Sequence, residues 1–106
     1  ALRGAAMAHH DVTLNIHCSA PDELWRRMGA VYQSMPCWAG NARGPRWTGE
    51  GIDLWASVEP GGLQIAGEMP EEIWQEWYRR LRAALTDALG YEIGEPADGY
   101  EFVYWE

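Results

Sequence analysis

The sequence predicts an α+β fold: a two-layer sandwich in which an antiparallel sheet of four to five strands carries two helices on one face. Three observations predict it. Short stretches alternate apolar and polar residues with period two, two longer stretches space their apolar residues as a helix does, and the two patterns follow one another along the chain. The scale fits one core, since the 106 residues are 47% hydrophobic and include seven tryptophans.

Residues 12–18 open the pattern. Val12, Leu14, Ile16 and Cys18 point one way and Thr13, Asn15 and His17 the other, which predicts a half-buried strand with Cys18 as a small core residue. The run Ser19-Ala20-Pro21-Asp22-Glu23 then supplies a hydroxyl cap, a proline and two acids for a helix start. Leu24, Trp25, Met28, Val31, Tyr32 and Met35 form one continuous stripe, and Pro36 stops it. Residues 36–50 hold three glycines and two prolines without periodicity, so they read as a long loop, and loops of that length are often functional.

Alternation returns at residues 52–59, with Ile52, Leu54, Ala56 and Val58 inward. It runs back over residues 63–69 after the turn Pro60-Gly61-Gly62, which makes an antiparallel hairpin. Pro70-Glu71-Glu72 starts the second helix, whose buried stripe is Trp74, Trp77, Tyr78, Leu81, Ala84, Leu85 and Ala88; Gly90 closes it. Glu76 and Arg80 are spaced to pair on its exposed side. Residues 91–93 and 100–105 read as extended, with Pro96-Ala97-Asp98-Gly99 as the turn of a second hairpin. The order is β-α-β-β-α-β with a possible fifth strand, the ferredoxin-like order, and it leaves one sheet face uncovered. On that face the alternation places Thr13, Asn15, His17, Asp53, Trp55, Ser57, Glu59, Gln64, Ala66 and Glu68.

Residues 1–10 lack the apolar core of a secretory signal and are set apart as a flexible N-terminal segment, with Met7 a candidate start and the residues before it an added extension. Residues 11–106 then form a single α+β domain. Two cysteines are too few for a disulfide framework, which favours free thiols and a cytoplasmic location. No apolar run reaches the roughly 20 residues of a membrane span.

Charge is lopsided. Sixteen carboxylates face eight arginines and no lysine, for a net charge of −8, and residues 47–106 hold thirteen of those carboxylates. Such a chain repels phosphate backbones, which argues against direct nucleic-acid binding, and attracts basic partners. No nucleophile elbow, phosphate loop or metal-ligand spacing is present, so no catalytic residue, metal or cofactor is assigned. Arg43 and Arg46 with Trp38 and Trp47 could form an anion pocket, because guanidinium forks suit carboxylates and phosphates. Trp38, Trp47 and Trp55 fall on no inward face, and indoles bordered by carboxylates are what a protein-binding surface needs.

In its size, acidity, α+β layout and aromatic content across residues 12–106, the chain resembles the small acidic immunity proteins of bacterial toxin–immunity systems, including contact-dependent growth inhibition. The resemblance implies a cytoplasmic inhibitor, not an enzyme, that binds one cognate toxin domain, often a basic nuclease, and occludes its active site. The contact residues it would use are Asp53, Trp55, Glu59 and Glu68 on the sheet, Glu92, Glu95, Asp98 and Glu101 near the C-terminus, and Trp38 and Trp47 in the loop. Two other classes fit the same residues. One is a small dimeric enzyme or ligand-binding protein using the uncovered face as a pocket; the other is an adaptor that uses that surface without inhibiting anything. Monomer and homodimer are both compatible with the sequence.

Overall fold

A computed structural model describes residues 7–105 of the chain. Five strands and two helices follow in the order β1 (Met7–Leu14), α1 (Asp22–Ser34), β2 (Trp38–Gly40), β3 (Arg46–Gly49), β4 (Ile52–Glu59), β5 (Gly62–Pro70) and α2 (Glu71–Leu89), with a 3-10 turn at Pro96–Asp98. All neighbouring strands are antiparallel and the sheet order is β1-β5-β4-β3-β2. The α+β class, the five-stranded antiparallel sheet and the two helices stand as expected. The ferredoxin-like order does not, because a hairpin replaces the anticipated loop and, among the described residues, no strand follows α2.

The core forms where both helices meet one sheet face. Met28, Val31 and Tyr32 of α1 and Trp74, Trp77, Leu81 and Leu85 of α2 pack in one cluster with Leu14, Trp47, Leu54, Ala56, Leu63, Ile65 and Met69. The stripes read from the sequence account for both helices. Neither has a side-chain cap: Pro21 and Pro70 occupy the N-cap positions, so Ser19 caps nothing, while Gly90 closes α2 in the left-handed conformation (φ 84°). The exposed ion pair of α2 joins Glu76 to Arg79, three residues on (2.6 Å), rather than to Arg80.

Four other expectations are corrected. The strand predicted at residues 12–18 ends at Leu14 and begins at Met7, so residues 7–10 are sheet and not a flexible segment; residues 1–6 lie outside the described residues. Past Leu14 the alternation loses its meaning, because the chain leaves the ladder. Asn15 is fully buried, Cys18 is exposed, and His17 turns to Ser19 and Tyr104 instead of the uncovered face. Both cysteines are free thiols.

Within residues 36–50, β2 and β3 form a hairpin in which Trp38 stands opposite Trp47, and Trp47 in turn opposite Leu54 of β4. That ladder directs the Trp47 indole into the core, fully buried, with its Nε1–H donating to the Tyr32 carbonyl (3.0 Å). Trp38 is half-buried against the same cluster. Finally, residues 91–105 do not form a second hairpin. They run as irregular chain with one isolated bridge from Val103 to Ile16, held by Asn15, whose amide donates to the carbonyls of Glu92 (3.0 Å) and Glu101 (2.7 Å) and accepts from the Gly94 N–H (2.8 Å).

Candidate functional site

Side chains alternate across a sheet, so the register that sends Leu54, Ala56, Ile65 and Leu14 to the helices sends their neighbours to the other face. The ladders align those neighbours in rows. His9, Glu68, Asp53 and Thr48 make one row; Asp11, Ala66, Trp55 and Arg46 the next; Thr13, Gln64 and Ser57 a third, with Glu59 beyond it. Trp55 is central and half-buried, opposite the small Ala66. Of the residues assigned to this face from the sequence, Thr13, Asp53, Trp55, Ser57, Glu59, Gln64, Ala66 and Glu68 lie on it; Asn15 and His17 do not.

The polar side chains here hold one another. His9 Nδ1–H donates to Glu68 (2.8 Å), Gln64 Nε2–H donates to Asp11 (2.8 Å), the Ser57 hydroxyl donates to Glu59, and Arg46 pairs with Asp53. The Arg46 guanidinium also sits 5.9 Å from the Trp55 ring centroid. Exposed pairs of this kind contribute under about 1 kcal/mol each to stability, so their effect is to orient groups on the surface. Arg43, Arg46, Trp55, Ser57, Glu59 and Gln64 border a groove of about 440 Å³. Of the two arginines expected beside Trp38 and Trp47, Arg46 lies over Trp55 instead and Arg43 borders the same groove.

The predicted contact residues do not form one patch. Asp53, Trp55, Glu59 and Glu68 share the uncovered face. Trp47 is fully buried in the core, which removes it from the contact set, while Trp38 is half-buried beside it on the helix side of the sheet, apart from the face that carries Trp55. The C-terminal acids form a separate surface beside α2. Glu92 borders a groove with Arg79, Arg82 and Thr86, and Glu95 accepts a hydrogen bond from the Tyr78 hydroxyl (2.7 Å), while Asp98 and Glu101 are exposed nearby in sequence. Burial, and then that bond to Glu95, push the Tyr78 phenol well above its usual range. Further carboxylates open both helices, Asp22 and Glu23 in α1 and Glu71 and Glu72 in α2, so negative charge is spread over several sides of the molecule.

Sequence reasoning missed His9 and Asp11 as members of the uncovered face. The signal was present: the alternation of residues 12–14 continues upstream through Ala8 and His10 inward and His9 and Asp11 outward, broken only by the polarity of His10. That ring stacks on Trp74 (centroids 4.1 Å apart) and donates from Nε2 to the Met69 carbonyl (2.9 Å), which is how an imidazole comes to occupy an inward position. Among the described residues, no three His, Cys, Asp or Glu side chains converge to hold a metal ion, and no helix is long and apolar enough to cross a membrane. The chain matches no protein-family model, no curated protein and no solved structure.

Proposed function

We propose that the chain is an immunity-type inhibitor that binds a basic partner domain, such as a bacterial toxin nuclease, in the cytoplasm and occludes its active site. The observation that carries this reading is Trp55, half-buried at the centre of a sheet face that neither helix covers, with Asp11, Asp53, Glu59 and Glu68 around it. An indole so placed offers a large, rigid area to bury against a partner, and a rim of charge suits it to be a binding hot spot. The net charge of −8 draws a cationic domain in and sets carboxylates where a nuclease would bind phosphates. In this reading Asp53, Trp55, Glu59 and Glu68 make the contact, and Glu92, Glu95, Asp98 and Glu101 contribute to the steering field.

Co-expression with the polypeptide encoded by the neighbouring gene tests it. The expected result is a complex that co-purifies and whose affinity falls at least about tenfold between about 0.05 and 0.5 M salt, as screened charge steering requires. No complex at low salt overturns the reading. The groove beside Trp55 favours a second reading, a binder of small carboxylate-bearing ligands held by Arg43 and Arg46. Against it, the groove is open and polar, and its one carboxylate, Glu59, is exposed, whereas ligand pockets are mostly enclosed and apolar.

A further inference from the structure

Among the described residues the sheet has two edges, β1 and β2, and only one of them is guarded. β2 is three residues long and its pairing with β3 shifts register between Trp38 and Gly40. β1 pairs with β5 through all eight of its residues without a break, and it contains no proline, lysine or arginine. Natural edges are blunted by short length, bulges, proline, rows of charge or a covering element; β1 is long and unbroken, with Asp11 its one carboxylate, so it presents backbone N–H and C=O groups to another strand.

We propose that β1 pairs antiparallel with β1 of a second copy of this chain, about a two-fold axis at His10, so that one sheet runs through both copies. Side-chain chemistry selects that register. With His10 on the axis, His9 of each copy stands opposite Asp11 of the other on the uncovered face, twice by symmetry, and Ala8 stands opposite Val12 on the helix side. Of the neighbouring registers that keep both faces continuous, one sets Asp11 against Asp11, like charges directly opposite, and the other sets His9 against His9 and leaves Asp11 without an imidazole partner. Both side chains are exposed, His9 bonded to Glu68 and Asp11 to Gln64 of β5, and each keeps a further ring nitrogen or carboxylate oxygen for a partner across the edge. Ala8 and Val12 are half-buried, which leaves apolar area at the edge to cover. The contact leaves Trp55, Asp53 and Glu59 free; it shares Asp11 and the Glu68-bound His9 with the face of the inhibitor reading, and the mass of the chain alone tests it separately from any partner.

Sedimentation equilibrium of the whole chain from about 1 µM to 1 mM tests this. The mass is expected to rise with concentration from 12.0 kDa toward twice that value. His9→Glu alone should weaken the dimer about tenfold by setting two carboxylates opposite one another, Asp11→Arg alone should weaken it by removing the acceptor opposite His9, and the double variant, with Glu opposite Arg, should restore it. Circular dichroism confirms that each variant is folded, as expected for exposed positions. A mass of 12.0 kDa at every concentration overturns the proposal, as does a dimer indifferent to the single reversals or not restored by the double one.

Discussion

Replacing Asn15 by alanine probes what ties residues 91–105 to the sheet. The side chain is fully buried and makes three hydrogen bonds, donating to the carbonyls of Glu92 and Glu101 and accepting from the buried Gly94 N–H. Each such bond contributes about 1 kcal/mol net, and the Gly94 N–H would be left without an acceptor, so the loss should be about 3–4 kcal/mol. Asn15→Asp keeps the acceptor but turns both donors into a carboxylate facing two carbonyls, and should cost at least as much. Urea unfolding gives the magnitude, and hydrogen exchange at Gly94 and residues 100–105 shows whether that segment loosens first. A loss below about 1 kcal/mol, or unchanged exchange there, would refute the idea that one amide fastens the C-terminal segment.

Trp47→Ala should destabilise by about 3–5 kcal/mol, since it empties a fully buried site and removes one of the two hydrogen bonds that the Tyr32 carbonyl accepts, leaving the one from the Met35 N–H, whereas Trp55→Ala should cost about 1 kcal/mol or less; parallel urea melts compare them. Gly67→Ala should cost more than about 2 kcal/mol by thermal or urea unfolding, because φ is +137° and an added Cβ would overlap the Asp53 carbonyl and stand 2.9 Å from Leu54 Cα. Alkaline pH should unfold the protein. Burial raises the phenols of Tyr32, Tyr78 and Tyr91, the last to about 12, so the folded chain keeps protons that the unfolded chain releases above about 10. Stability is then full below pH 10 and falls as pH rises, by up to about 1.4 kcal/mol per unit for the buried Tyr32; a flat melting profile from pH 9 to 11.5 would contradict this.

Both helices and the β4–β5 hairpin were legible because each is long enough for its period to repeat and ends at a proline or glycine. The β2–β3 hairpin was not, since strands of three and four residues show at most two inward positions among glycines and prolines. Trp47 therefore looked outward, and only its pairing with Leu54 across the sheet explains its burial. Asn15 failed for a related reason: alternation assigns a face only while the strand lasts, and β1 ends one residue earlier. His10 was hidden by its chemistry, because a stacked, hydrogen-bonded imidazole can fill a position where an apolar residue is expected. Trp55 and its carboxylate neighbours were legible because β4 and β5 alternate without interruption. That Glu92 and Glu95 lie beside α2 was not legible, since sequence adjacency groups residues 92–101 without placing them against any element.

The measurement that bears most directly on function is the affinity of the neighbouring gene's polypeptide for the wild-type chain and for Trp55→Ala, by calorimetry at low salt. The account predicts a loss of at least about 30-fold for Trp55→Ala, the scale of a hot-spot aromatic, with the fold unchanged by circular dichroism. Equal affinity for the two proteins would show that the contact lies elsewhere and would contradict the role given to the uncovered sheet face.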